Sequence, residues 1–307
     1  MAVSGKAIKQ RIKSVKNTKK ITKAMEMVSA AKMRKAIAAV TGTRTYATLA
    51  RDLMERLSGV SEVKSPLTEL RPVKKVLVIV FSSNRGLAGS FNSNVFKKTQ
   101  AILTRADVFG NVTANDAMYD VIGVGKKSAY FAKRYGYPLV AAYDAIRDNP
   151  SVDDIMPIAT FALEKFKAEE YDAVLVGYTE FKSSIVQMPK LRKLLPISRD
   201  NIEAILEETP TGMEAEKEDA VSDYEFEPNT EMILETILPR LFEVQLYQTL
   251  LESRASEHSA RMVAMKNATE AAGDMIDALT VEFNKARQAG ITKEIAEIAG
   301  GAAALEN

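Results

Sequence analysis

From Leu234 onward the sequence carries an apolar repeat spaced 3, 4, 3, 4 without a break. It runs Leu234, Ile237, Leu241, Val244, Gln248, Leu251, Ala255, His258, Met262, Met265, Thr269, Ala272, Ile276, Leu279, Phe283 and Ala286. Only Gln248, His258 and Thr269 interrupt the apolar set. A repeat sustained over about seven heptads is the pattern of a coiled-coil seam, which a lone helix cannot keep from water. The spacing predicts a helix from Thr230 to about Ala299, ~105 Å long at 1.5 Å per residue, closed by Gly300-Gly301.

The N-terminal stretch supplies a partner. No proline occurs from Val3 to Leu57. Apolar residues recur at helical spacing: Ile8, Ile12, Val15; Ile21, Met25, Val28; Met33, Ile37, Val40; Leu49, Leu53, Leu57. Two such helices flanking one domain close as an antiparallel pair, because neither buries its stripe alone. The longer C-terminal helix overhangs. Its tail, EIAEIAGGAAALEN, is short of bulk, which suits a narrow apolar partner surface and a fraying end equally.

Between the helices, residues 73–200 alternate strand and helix signals. KKVLVIVFSS, MYDVIGVG and YPLVAAYD read as strands; FNSNVFKKTQAILTRA, KKSAYFAKRYG and VDDIMPIATFALEKFKAEE read as helices. YDAVLVGYTEF and SSIVQMPKLRKLLPI form a closing pair of strands. Alternation of this kind gives a mostly parallel sheet covered on both faces. The expected fold is α/β plus a long antiparallel coiled coil, with the N- and C-terminal helices paired and a central Rossmann-like α/β domain. The expected parts are residues 1–60 (first helix), 70–200 (α/β domain), 201–228 (acidic connection) and 229–307 (second helix).

Charge separates these parts. The chain has 42 Lys+Arg and 40 Asp+Glu. Residues 1–57 carry a net +11, residues 58–199 +6, residues 200–231 −11 and residues 232–307 −4. A near-neutral total therefore hides a basic arm and an acidic strip. The arm is compatible with a solvated face, with nucleic-acid binding or with a transit peptide. It has no aromatic residue before Tyr46 to stack a base, and it is Lys-rich rather than Arg-rich.

Composition limits the chemistry. With no Cys there is no disulfide, thiolate metal site, thiol nucleophile or Fe–S cluster, and one His makes His-rich metal sites and a Ser–His–Asp triad improbable. The chain has no apolar run near the ~20 residues that a membrane span needs, and its N-terminus lacks the apolar core of a secretory signal. Two glycine loops follow strands. In NRGLAGS (Asn84–Ser90) the glycines are not spaced G-x-G-x-x-G, and in GVGKKS (Gly123–Ser128) the position five before Gly125 is Asp120 rather than Gly. Both read as tight strand-to-helix turns, with nucleotide binding the rival reading. His258 lies on the seam and reads as a polar register residue, with a ligand or proton relay as the rival.

Three segments carry a family resemblance. VKNTKKITKAMEMVSAAKMRKA (Val15–Ala36) and SEHSARMVAMKNATEAAGDMIDALTVEFNKARQAGITKEIAEIAGGAAA (Ser256–Ala304) resemble the N- and C-terminal helix motifs of the gamma subunits of F-type rotary ATP synthases of bacterial type. SSNRGLAGSFN (Ser82–Asn92) resembles that family's S-D-[K/R]-G-L-C-G-x-x-N turn, with Asn84, Ala88 and Ser90 departing from it. The likeness covers essentially the whole chain.

What the resemblance implies is a non-catalytic central stalk, or rotor. It couples rotation of a membrane c-ring to ATP synthesis and hydrolysis in a ring of three alpha and three beta subunits, with the epsilon subunit beside it. No catalytic, cofactor-binding or metal-ligating residue is implied. Met25, Arg287, Gln288 and Thr292 match positions that face the alpha/beta ring. The basic arm is expected to face acidic beta loops, and the strip 200–231 to face basic c-ring loops or epsilon. The implied location is the cytoplasmic face of a bacterial plasma membrane, held there through the complex, and the start at Met1 close to the first motif fits a protein without a presequence. The alternative reading is a basic coiled coil that binds nucleic acid.

Overall fold

The computed structural model describes residues 5–58, 65–105, 117–197 and 230–305. The acidic strip falls almost wholly outside them. In chain order the elements are α1 (Gly5–Ser58), β1 (Lys75–Phe81), α2 (Phe91–Leu103), β2 (Met118–Val124), α3 (Ser128–Tyr135), β3 (Leu139–Tyr143), a 3-10 turn (Val152–Asp154), α4 (Met156–Lys167), β4 (Ala173–Phe181), β5 (Gln187–Leu195) and α5 (Thr230–Leu305). They divide into two compact units, residues 30–260 and residues 1–29 with 261–307. The terminal helices contribute residues to both.

The larger unit is built on a five-stranded sheet of order β3-β2-β1-β4-β5. The first three pairings are parallel, and β5 runs antiparallel along β4 as the last strand. In β1, the run Val76–Phe81 is buried without alternation, as a parallel strand covered on both faces must be. Val76, Val78 and Val80 face Val95, Phe96 and Leu103 of α2 and Phe131 of α3. Leu77, Ile79 and Phe81 face the other way, toward Ile158, Ala162 and Phe166 of α4 and toward Leu238, Phe242, Leu246 and Leu250 of α5. Thus a terminal helix forms part of one covering layer of the sheet.

Both glycine loops are tight turns. Gly125 sits at φ +88°, and a Cβ there would collide with the Ser82 carbonyl oxygen. At Gly123 a Cβ would collide with Ser128 Oγ, which donates to Gly125 O at 2.6 Å. Ser82 N donates to Val124 O at 2.8 Å, so the ends of β1 and β2 are stitched together by backbone. Asn84 and Asn92 brace the other loop: Lys126 N donates to Asn84 Oδ1 (3.1 Å) and Ser83 N to Asn92 Oδ1 (3.0 Å). Asn84 therefore caps the neighbouring strand's turn.

Helix α5 departs from expectation in two ways. It continues through Gly300-Gly301 to Leu305 instead of stopping there. Each helical glycine costs only ~1 kcal/mol relative to alanine, and the flanking alanines favour helix. It also contains Pro239, whose missing N–H and ring clash cost ~3 kcal/mol or more in a helix interior. Burial of the adjacent Leu238, Leu241 and Phe242 against the sheet offsets that cost. Among the described residues no helix is long and apolar enough to cross a membrane.

Candidate partner interface on the terminal helix pair

The smaller unit pairs the start of α1 with the end of α5. Thr269 Oγ1 meets Thr22 Oγ1 at 2.8 Å. Lys19 crosses Gly273, where a Cβ would lie 3.0 Å from its ammonium, and a Cβ on Gly5 would lie 3.9 Å from the Phe283 ring. As the α1 number falls the α5 number rises, so the pair is antiparallel. On α5 the covered positions are Met265, Thr269, Ala272, Ile276, Leu279, Phe283 and Ala286, the seam read from the sequence. His258 lies before this stretch, in the part of α5 belonging to the larger unit. There it is only 2% exposed.

On α1 the seam differs from the apolar stripe expected. Ile8, Ile12 and Val15 are covered, but Ile21 is 61% exposed and Val28 54% exposed. Thr22 and Ser29 take the inward positions. The reason is spacing: Ile8, Ile12, Val15, Thr22 and Ser29 keep the heptad beat, and small side chains let the helices approach closely. Ile21 and Val28, expected on the stripe, are left on the outside together with Met27.

The outer surface combines these apolar groups with cations. Lys6, Lys9, Lys13, Lys16 and Lys20 line a groove floored by Ile12 and Ile276. Lys23 pairs with Glu26 at 3.0 Å, whereas Lys6, Lys9, Lys13, Lys16 and Lys20 make no ion pair among the described residues. Near the end of α5, Ile291, Ile295 and Ile298 are exposed at intervals of four and three, one stripe on the helix. Arg287, Gln288 and Thr292 are exposed beside it, with Thr292 Oγ1 donating to Gln288 O at 3.0 Å. Met25 is different: it is half-covered in the helix pair. An exposed surface of cations and scattered large apolar groups suits a protein partner rather than chemistry on a small molecule. No group of three or more His, Asp and Glu is placed to hold a metal ion among the described residues.

A family model described as ATP synthase matches residues 4–305. The gamma chain of the ATP synthase of Pelotomaculum thermopropionicum is 44% identical over 97% of this chain and 98% of its own length. This chain belongs to the ATP synthase gamma-chain family. The gamma chain from Chloroflexus aurantiacus is 41% identical over 98% of this chain and 99% of its own. The fold is shared with a chain of the Euglena gracilis mitochondrial ATP synthase rotor at a TM-score of 0.62 and 18% identity, covering 94% of this chain and 98% of that one. A second Euglena structure, of OSCP, F1 and c-ring, contains a chain matching at a TM-score of 0.65 and 20% identity, with 98% and 94% covered.

Proposed function

We infer that this chain is the non-catalytic central-stalk, or rotor, subunit of a proton-translocating F-type ATP synthase. The observation that carries the reading is likeness to gamma chains at 44% identity over essentially the full length of both chains. The antiparallel helix pair adds a physical reason. A stalk needs an element that resists bending and twisting, and two helices closed on a common seam supply one.

In this reading the complex performs proton-coupled ATP synthesis and hydrolysis, with catalysis in three alpha and three beta subunits. The stalk couples those sites to the c-ring, with epsilon beside it, at the cytoplasmic face of a bacterial plasma membrane. The lysines on α1 are suited to acidic loops of beta, where opposite charge governs orientation more than affinity. Arg287, Gln288 and Thr292 are accessible to the surrounding ring. Met25, half-covered, acts at the ring by way of the seam it helps to fill. The alternative, a nucleic-acid-binding coiled coil, finds no support among the relatives.

The test is co-purification. One copy should come down with three alpha and three beta subunits, and deletion should abolish proton-coupled ATP synthesis. Absence of alpha and beta from the purified complex would overturn the reading. Met25→Lys puts a charge into the half-covered seam position; it should leave ATP hydrolysis intact and impair coupling to proton pumping. Full coupling would remove Met25 from the interface.

A further inference from the structure

In the larger unit, one loop grips both terminal helices. The connection from β3 into α4 spans residues 144–155. Lys32 of α1 meets Asp148 Oδ2 at 2.5 Å. Two groups on α5 reach the same loop: Tyr247 Oη donates to Pro150 O at 2.9 Å and Arg254 Nη2 to Ile146 O at 3.3 Å. Arg254 is itself fixed by Glu257 at 2.8 Å, both side chains at most 5% exposed. Ile146 is buried in the core shared by α4 and α5.

The loop is also braced internally. Arg147 donates to both Asp154 oxygens, with Nη2 to Oδ2 at 2.9 Å, and to Ser151 Oγ at 2.9 Å. Ser151 N donates to Asp154 Oδ2 at 2.7 Å. A braced loop bonded to two helices resists sideways displacement. These directional bonds add to the resistance that close packing already gives. The Lys32–Asp148 pair is 36% and 48% exposed, so solvent screening limits its share of stability to a modest one, and its placement joins the loop to α1.

We propose that loop 144–155 is a torque clamp that fixes both stalk helices to the α/β unit, with Asp148, Tyr247 and Arg254 as its positioning residues. The proposal rests on the central-stalk reading above. It explains why one short segment spends three polar contacts on two helices while its own ends are already tied down.

The assembled synthase in membrane vesicles tests it. Asp148→Lys should retain co-purification with alpha and beta and retain ATP hydrolysis, while losing proton pumping per ATP hydrolysed. Adding Lys32→Asp to it should restore pumping, because the pair is re-formed with reversed charge. In single complexes with a probe on the α/β unit, Asp148→Lys and Tyr247→Phe should widen the angular spread of the rotor at each dwell. Parental pumping and parental spread in both single variants overturn the clamp, as does a charge swap no better than Asp148→Lys alone. If Asp148→Lys does not assemble, Tyr247→Phe decides by the same two readouts, since it removes a single hydroxyl. Failure of the parent chain to co-purify with alpha and beta would instead sink the central-stalk reading.

Discussion

At Gly125 the φ of +88° is strained for any L side chain, and a Cβ would press on the Ser82 carbonyl. Left-handed backbone alone costs ~1–2 kcal/mol for a residue with a Cβ, and the collision adds to it. Gly125→Ala should lower the urea midpoint of the purified chain by more than that strain alone; an unchanged midpoint would show that the turn can open without penalty. Two carboxylates set a pH dependence. Asp148 is held below the ordinary carboxylate range, first by the hydrogen bond from Lys32 and then, against the cost of burial, by the charges of Lys32, His258 and Arg254. Burial opposes the ionisation of Asp154, but hydrogen bonds from Arg147 and Ser151 outweigh it, and its pKa also lies low. A depressed native pKa stabilises fully above the unfolded value, near 3.8, and that stabilisation is lost as pH falls through the native value. Asp148→Asn with Asp154→Asn should flatten the acid limb of stability against pH; an acid limb identical to the parent's would contradict this origin.

At the scale of elements, the strands and helices were legible because each buried face imposes its own period. Leu77, Ile79 and Phe81 against Val76, Val78 and Val80 is a strand dressed on both sides, and Met265 through Ala286 is a seam on α5. The register of α1 was not legible in the same way. Apolar side chains mark burial in a domain core, whereas close-paired helices select small ones, so Thr22 and Ser29 displaced Ile21 and Val28. Nor could periodicity describe α5 from Leu241 to Ser259, where Ser253, Arg254, Glu257 and His258 are as covered as Leu250 and Leu251. A helix wrapped on every side has no outward face to write a period. Of the residues expected to face a partner, Arg287, Gln288 and Thr292 came from motif likeness and are exposed, while the outward positions of Ile21 and Val28 could have been found only by fixing the heptad beat at Thr22. Gly290 lies within α5, and a Cβ added there would meet nothing within 4 Å, so Gly290→Ala should stabilise the helix by ~1 kcal/mol. A raised thermal midpoint checks it, and a lowered one would mean that a kink at this point belongs to the native helix.

At the scale of the molecule, the charge count resolves into separate surfaces. The groove lysines on α1 lie on the helix pair, and for the strip 200–231, with its net charge of −11, we propose a basic partner. Reversing acidic residues there should weaken attachment of the complex to membranes, most visibly at low salt, because high salt screens the attraction in the parent and the variant alike. Attachment unchanged at every salt concentration would remove the strip from that role. The last strand of the sheet bears on a different hazard. β5 carries Pro189, Lys190, Arg192 and Lys193, a missing donor and three cations within five positions on the edge of the sheet. Before a rotor subunit finds its ring it is one of many identical chains, and like edges invite each other to extend a common sheet. Lys190 pairs with Glu180 and Arg192 lies over Tyr178, so it is chiefly Pro189 and Lys193 that make β5 a poor template for a second edge. The strand that closes the sheet is thus a poor place for a second copy to add, which suits a machine built around a single axle.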